Sequence, residues 1–373
     1  MALFGLSKVH LRSAACRSYS TRRSPSVSPT TWVPPRPRPD IPGHLDYGSE
    51  TIPPRNELID MPLSPDARKI VDASAERMGR PMHEIPVPEL RASLAAGAAP
   101  GTTPIHHRED LVVPSSAGGV PIRIYRPSDG EGLPLIQWMH SGGFTVGGLD
   151  QNEEYLRKLS NATGAVVVSV DYRLAPEHPY PAALDDCRAV WEWIVSDPDQ
   201  LAAADVHRGV LAGESAGGTL VFALSQQLRD RGLPLPVGQV SLYGTTTMEI
   251  TNPEHETVLL SPADCHRFWD LYVPDKAERD SVYVNPALAS DLSGLPPAFV
   301  ATAEVDPTRD GTEDYARRMQ ACGVDVELHR YDGVMHGFAT MTTALSAAQE
   351  LFEHMVDYLG RTWSECLPER ATH

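Results

Sequence analysis

Residues 209–228 read GVLAGESAGGTLVFALSQQL. The apolar run Val210, Leu211, Ala212 enters Gly213, Glu214, Ser215, Ala216, Gly217, Gly218, and a helical stretch follows at once. A G-x-S-x-G pentapeptide between a strand and a helix reads as a nucleophile elbow. The chain reverses in so few residues that side chains two positions either side of the serine would collide, hence Gly213 and Gly217. The turn leaves the Ser215 hydroxyl at a helix N-terminus, where backbone N–H groups and the helix dipole favour developing negative charge. The bland reading of the pentapeptide is a tight glycine turn; the strand before it and the helix after it favour a nucleophile.

Outward from this elbow, from Asp110 onward, short apolar runs alternate with helical stretches, the pattern of a mostly parallel sheet covered on both faces. Strands are expected at Asp110 to Pro114, Pro121 to Tyr125, Pro134 to Met139, Ala165 to Val170, Gly209 to Ala212, Val237 to Leu242, Ala298 to Ala303 and Asp325 to Arg330. Helices are expected at Gln151 to Asn161, Ala182 to Ser196, Ala216 to Arg231, Thr312 to Cys322 and Ala344 to Leu359. The fold class is therefore α/β, with an eight-stranded, mostly parallel sheet flanked by helices. Before the sheet, Ser64 is a plausible N-cap for a helix from Pro65 to Met78, and a second helix covers Pro88 to Ala96. Residues 244–295 interrupt the alternation, with one helix near Pro262 to Leu271. Together with residues 61–109 they are expected to form a cap over the carboxyl ends of the strands, where ligands bind in open α/β sheets.

Three further signals carry chemistry. His140, Ser141, Gly142, Gly143 and Phe144 follow the strand LIQWM, and paired glycines let backbone N–H groups approach a tetrahedral oxyanion. Gly142, Gly143 and Ala216 are thus the expected oxyanion-hole donors. Asp306 closes the strand AFVATAE, and His336 sits in VMHGF after VELHRY. The order Ser215, Asp306, His336 is the one an elbow of this kind requires, with the histidine as base and the aspartate as its orienting partner. Glu304, Asp310 and Asp332 compete for the acidic role and are read as surface or loop-bracing groups. His140 is read as structural, holding its loop by a hydrogen bond, because the base comes last in this order.

Composition narrows the function classes. The 373 residues carry a net charge of −17, and the first 39 hold seven Lys or Arg and no acid, leaving 49 acidic against 25 basic residues beyond them. So acidic a body repels phosphate backbones, and neither a basic stripe nor zinc-finger spacing is present, so no nucleic-acid partner is expected. No apolar run is long enough for a membrane span. The 14 histidines contain no H-E-x-x-H, and the glycines near Ser141 lack the Lys and Ser/Thr of a phosphate loop, so neither metal nor cofactor is expected. The five cysteines are widely spaced and fit a reducing compartment.

The first 23 residues are rich in Arg and Ser, lack acids and resemble a mitochondrial presequence, with Arg17 to Ser20 similar to a matrix-protease cleavage signal. The alternative is a cytoplasmic protein whose N-terminus carries no address. Residues 24–60 read as a Pro-rich linker, 61–361 as the catalytic domain and 362–373 as a tail.

At these motifs the chain resembles the hormone-sensitive-lipase-like family of esterases, the α/β-hydrolase fold-3 group. Besides GESAGG and HSGGF, the resemblance rests on VDYRLAPEHPYPAALDD (Val170 to Asp186), NPALASDLSGLPPAFVATAEVDPTRD (Asn285 to Asp310) and MHGF (Met335 to Phe338). It runs from about Met61, in MPLSPDAR, to about Gly360. The resemblance implies hydrolysis of small short-chain carboxylic esters, no cofactor, a cap built from the N-terminal helices and a homodimer through the last strand and helix. It also implies that Ser215, Asp306 and His336 form the triad, that Gly142, Gly143 and Ala216 form the oxyanion hole, and that Arg173 and Glu177 brace the fold. Two positions depart from the family pattern: Ser141 stands where glycine is usual, and Glu214 where Asp is commoner. A serine at 141 is costly if that position needs positive φ. An amidase, arylformamidase or lactonase would use the same groups. A non-catalytic small-molecule receptor is the reading from another class, and the retained His336 argues against it. The pocket is expected to be shaped by the cap with Trp138, Phe144, Phe268, Trp269 and Phe338.

Overall fold

The computed structural model describes residues 62–97, 100–196, 201, 204–255, 257 and 259–366; the stretches read as presequence and linker lie outside them. Among the described residues eight strands form one sheet: β1 (His107–Val113), β2 (Val120–Arg126), β3 (Leu133–Met139), β4 (Val166–Val170), β5 (Ala204–Glu214), β6 (Gly238–Leu242), β7 (Ala298–Val305) and β8 (Val326–Met335). Their order is β1-β2-β4-β3-β5-β6-β7-β8. β2 runs antiparallel to both its neighbours, and β4, β3, β5, β6, β7 and β8 are mutually parallel.

Period-two alternation along the strands divides the core. On β3, Ile136 and Trp138 join one cluster, which includes Leu351, Met355 and Leu359 of α8 (Ser346–Glu365). Leu135 and Met139 join the other, with α4 (Ala182–Ser196) and α5 (Ala216–Asp230) packed beneath them. The remaining helices are α1 (Pro65–Met78), α2 (Val87–Gly97), α3 (Glu153–Thr163), α6 (Pro262–Tyr272) and α7 (Arg309–Ala321).

Several elements differ in extent from the expected ones; β5, for one, begins at Ala204 rather than Gly209. α8 continues past Leu359 to Glu365, because Trp363 is still buried against the sheet; residues 362–365, expected in a tail, are helical. β8 runs five residues beyond Arg330. The turn-like pair Asp332 and Gly333 sits within the strand, where Gly333 takes φ 71° and the pairing with β7 shifts register between Ala303 and Val305. α1 is capped as expected, the Ser64 hydroxyl accepting from Ala67 N–H at 3.3 Å, and it packs against β8. Ser64 N–H donates to Gly333 O at 2.8 Å, and Ala67 and Val71 are buried in the main core.

α6 and the segment that leads into α2 hold each other. The 3₁₀ turn Met82–Glu84 is fastened to α6: Arg267 donates to Met82 O at 2.7 Å and Ile85 O at 2.6 Å, and His83 Nδ1 meets Asp264 Oδ1 at 3.2 Å. α6 itself begins with a capping box between Ser261 and Asp264. Among the described residues no helix is long and apolar enough to cross a membrane.

Candidate active site

Sheet topology brings the chemistry to one edge. The segments after β3, β5, β7 and β8 all leave the carboxyl ends of parallel strands, and they carry Ser141 to Gly143, Ser215, Asp306 and His336 respectively. Register does the fine placement. Val305 pairs with Met335, so Asp306 and His336 each stand one residue beyond a paired position, while Met139 pairs with Gly213 at the roots of the other two segments.

The elbow is as tight as its glycines require. Ser215 has φ 51°, a left-handed conformation that costs a non-glycine residue energy and points to a functional constraint. A β-carbon on Gly213 would lie 2.6 Å from the backbone of Gly217, and one on Gly217 would lie 2.0 Å from Met139 O.

Ser215 Oγ and His336 Nε2 are 2.8 Å apart, and His336 Nδ1 and Asp306 Oδ2 2.7 Å apart. Burial alone would raise the Asp306 carboxyl; the charge and hydrogen bond of His336, with two hydrogen bonds from Thr308, outweigh it and hold the pKa below the ordinary carboxylate value. A carboxylate can only accept, so Nδ1–H donates to it, and in that tautomer Nε2 is the acceptor for the Ser215 hydroxyl. Asp306 Oδ1 accepts from Thr308 N–H and Oγ1, both at 2.8 Å. The competing acids are engaged elsewhere: Asp310 takes Arg309 and Asn252, and Glu304 takes the N–H of Gly333 at 2.7 Å.

In the loop after β3, the left-handed backbone falls on Gly142 (120°), Gly143 (56°) and Phe144 (59°), and not on Ser141, so the serine carries no such strain. Among the described residues no acceptor takes the N–H of Gly142 or Gly143. His140 is fully buried, its Nδ1–H donating to Ser141 O at 2.7 Å and its ring stacked on Tyr172 at 4.1 Å. Burial outweighs that hydrogen bond and lowers its pKa to about 4, so the ring is neutral at pH 7.

A cavity of about 40 Å³ is lined by Gly143, Ser215, Ala216 and His336 together with Phe144, Thr219, Thr245, Leu260, Cys265, Phe268 and Trp269. At ~10–15 Å³ for a water-sized group, it has room for a few heavy atoms. Of the five aromatics singled out from sequence, Phe144, Phe268 and Trp269 line it; Trp138 packs on Tyr155 and Phe338 on Tyr243 and Tyr331, in the core. Burial pushes the Cys265 thiol well up, aided by the charges of Asp306 and Asp264, so it stays protonated. Among the described residues no group of three or more His, Cys, Asp or Glu is arranged to hold a metal ion.

Sequence reasoning anticipated the bracing but not its partners. Arg173 forms a bidentate pair with buried Asp186, at 2.9 and 2.8 Å. Glu177 is held by Arg91 of α2 at 2.8 and 2.7 Å, and the same guanidinium donates to Thr145 O and Ala175 O. Nothing in the local sequence marked Arg91, because its four acceptors come from two distant loops.

Residues 136–340 match a family described as alpha/beta hydrolase fold. A carboxylesterase, NlhH, of Mycobacterium tuberculosis is 38% identical over 239 residues, covering 62% of this chain and 75% of the relative. An arylesterase of Saccharolobus solfataricus is 32% identical, covering 74% of this chain and 92% of its own length. Among solved structures, a hyperthermophilic esterase from Pyrobaculum calidifontis superposes with a TM-score of 0.74 at 36% identity, covering 81% of this chain and 99% of that one.

Proposed function

Because the chain belongs to the hormone-sensitive-lipase-like, fold-3 family of α/β-hydrolases and is a carboxylic ester hydrolase, we propose that it cleaves small short-chain carboxylic esters through an acyl-enzyme on Ser215. The observation that carries this reading is the unbroken chain from Ser215 Oγ through His336 to Asp306, at 2.8 and 2.7 Å.

In the proposed reaction Ser215 Oγ attacks the acyl carbon as its proton passes to His336 Nε2. The carbonyl oxygen becomes an oxyanion, received by the N–H groups of Gly142, Gly143 and Ala216. Asp306, ionised and fixed by Thr308, stabilises the imidazolium. Collapse of the tetrahedral intermediate breaks the ester C–O bond, and the departing alkoxide takes the proton from His336. Water then attacks the acyl-enzyme with His336 as base, releasing the carboxylic acid and restoring the Ser215 hydroxyl.

The preference for short acyl chains is supported by the small size of the cavity, about 40 Å³, which Leu260, Phe268 and Trp269 help to line. Hydrolysis of 4-nitrophenyl acetate, butyrate and octanoate, with an anilide alongside, tests the reading. Turnover of the two shorter esters, weak turnover of the others and none in Ser215→Ala is expected. Undiminished turnover in that variant, or a preference for octanoate or the anilide, contradicts it.

A further inference from the structure

The two positions at which this chain departs from the family pattern touch each other. Ser141 Oγ donates to Glu214 Oε1 at 3.0 Å and accepts from Gln151 Nε2 at 2.7 Å. Glu214 is buried, and its two oxygens also accept from Asn152 Nδ2 at 2.6 Å and Tyr243 Oη at 2.7 Å. The donors come from the loop after β3, from the start of α3 and from the residue after β6. Ser141 precedes the two glycines after β3, Glu214 precedes Ser215, and the ring of Tyr243 lies 4.9 Å from that of His336. A hydroxyl in place of a hydrogen at 141 thus bonds the loop after β3 to the elbow through a side chain, beside the backbone pairing of Met139 with Gly213.

We propose that Ser141 and Glu214 act as a positioning pair that sets the distance between the oxyanion donors and the nucleophile. The Ser141 hydroxyl and both Glu214 oxygens are taken up by protein partners, so the pair acts through position and not as donors to substrate. The proposal rests on the triad reading above. A bond between two rigid loops acts on the transition state rather than on ground-state binding, because only the oxyanion requires the N–H groups at hydrogen-bond distance from a carbon attached to Ser215. The longer Glu side chain matters for the same reason: Glu214→Asp keeps the charge but withdraws it by one methylene from the Ser141 hydroxyl.

The test is a double-mutant cycle of Ser141→Ala and Glu214→Asp, with Ser141→Gly as a second variant at 141 and Ser215→Ala as control. It is read by kcat and KM on 4-nitrophenyl butyrate, by affinity for an alkyl trifluoromethyl ketone, whose adduct with serine carries an oxyanion, and by thermal midpoint. Ser141→Ala and Ser141→Gly are expected to lower kcat ~3- to 10-fold with KM within about twofold, the net worth of one hydrogen bond. Ketone affinity is expected to fall by the same factor, and Ser141→Ala to have little further effect in the Glu214→Asp background. Wild-type kcat and ketone affinity in both Ser141 variants, additive losses in the cycle, or a loss that tracks KM and thermal midpoint instead of kcat each overturn the pair. Loss of activity in Ser215→Ala alongside such a result leaves the triad standing; persistence of activity there removes the reading on which the pair depends.

Discussion

The ring of Phe268 lies against Gly143 so closely that a β-carbon added to the glycine would sit 2.4 Å from its Cγ. Gly143 is also in the left-handed region, so α6 and the loop after β3 meet at a residue that tolerates no side chain. Gly143→Ala is therefore expected to lower kcat by ~10²-fold or more, the scale of a lost oxyanion donor. Adding Phe268→Ala relieves the contact but not the backbone strain, and should not restore the rate. Phe268→Ala alone opens the cavity: the octanoate-to-acetate ratio of kcat/KM is expected to rise at least ~10-fold, the scale on which apolar pockets sort chain length. An unchanged ratio would mean that the acyl chain lies elsewhere.

Asp306 and Asp310 are four residues apart and differ in what they touch. Asp306→Asn removes the anion that fixes the His336 tautomer, and kcat is expected to fall ~10⁴-fold. Asp310→Asn gives up one of the two bonds accepted from Arg309 and Asn252 but touches neither His336 nor Ser215, and should leave kcat within about twofold. Steady-state kinetics of the two purified variants separates them; equal losses would show that the acidic role is misassigned.

Acid stability follows from His140. Its pKa is depressed to about 4 in the folded protein, chiefly by burial. Between that value and about 6.5 the unfolded chain binds the extra proton, so stability falls as pH drops through this window, by about 3 kcal/mol in all. Asp306 has a depressed carboxyl and acts lower down. Its contribution is present above its unfolded value of about 3.9 and is lost only as pH falls through the folded one. Urea unfolding between pH 7 and 4.5 should show the loss, and His140→Gln should flatten it; a variant with the wild-type slope would place the proton uptake in another group.

Arg267 fastens α6 to the 3₁₀ turn through Met82 O and Ile85 O. Arg267→Ala leaves both carbonyls without that donor and is expected to expose residues 79–86 to limited proteolysis, with KM raised several-fold and kcat little changed. Proteolysis at the wild-type rate would show that the apolar contacts of Ile85, Leu90 and Val146 with Phe268 hold the turn by themselves.

Local constraints were readable in sequence, and long-range ones were not. Gly213 and Gly217 announce the elbow because so tight a turn leaves no room for a β-carbon at either position, and Ser64 announces a helix because a cap acts within three residues. Apolar spacing showed that α1 has a buried face but not that β8 covers it. The extension of β8 was hidden by Asp332 and Gly333, a turn signal that the sheet absorbs as an irregularity. The Glu214 network was illegible for the same reason as Arg91: its donors, Ser141, Asn152 and Tyr243, lie 29 to 73 positions away and meet only because parallel strands bring their carboxyl ends together.

The acyl-enzyme on Ser215 is tested most directly by mixing excess 4-nitrophenyl acetate with the protein in a stopped-flow instrument, quenching in acid and weighing the peptide that spans residues 209–228. An acetyl group on Ser215, formed as fast as the first equivalent of nitrophenol and absent from Ser215→Ala, is expected. Steady turnover with no acetyl on that peptide, or with the acetyl on another residue, would contradict it.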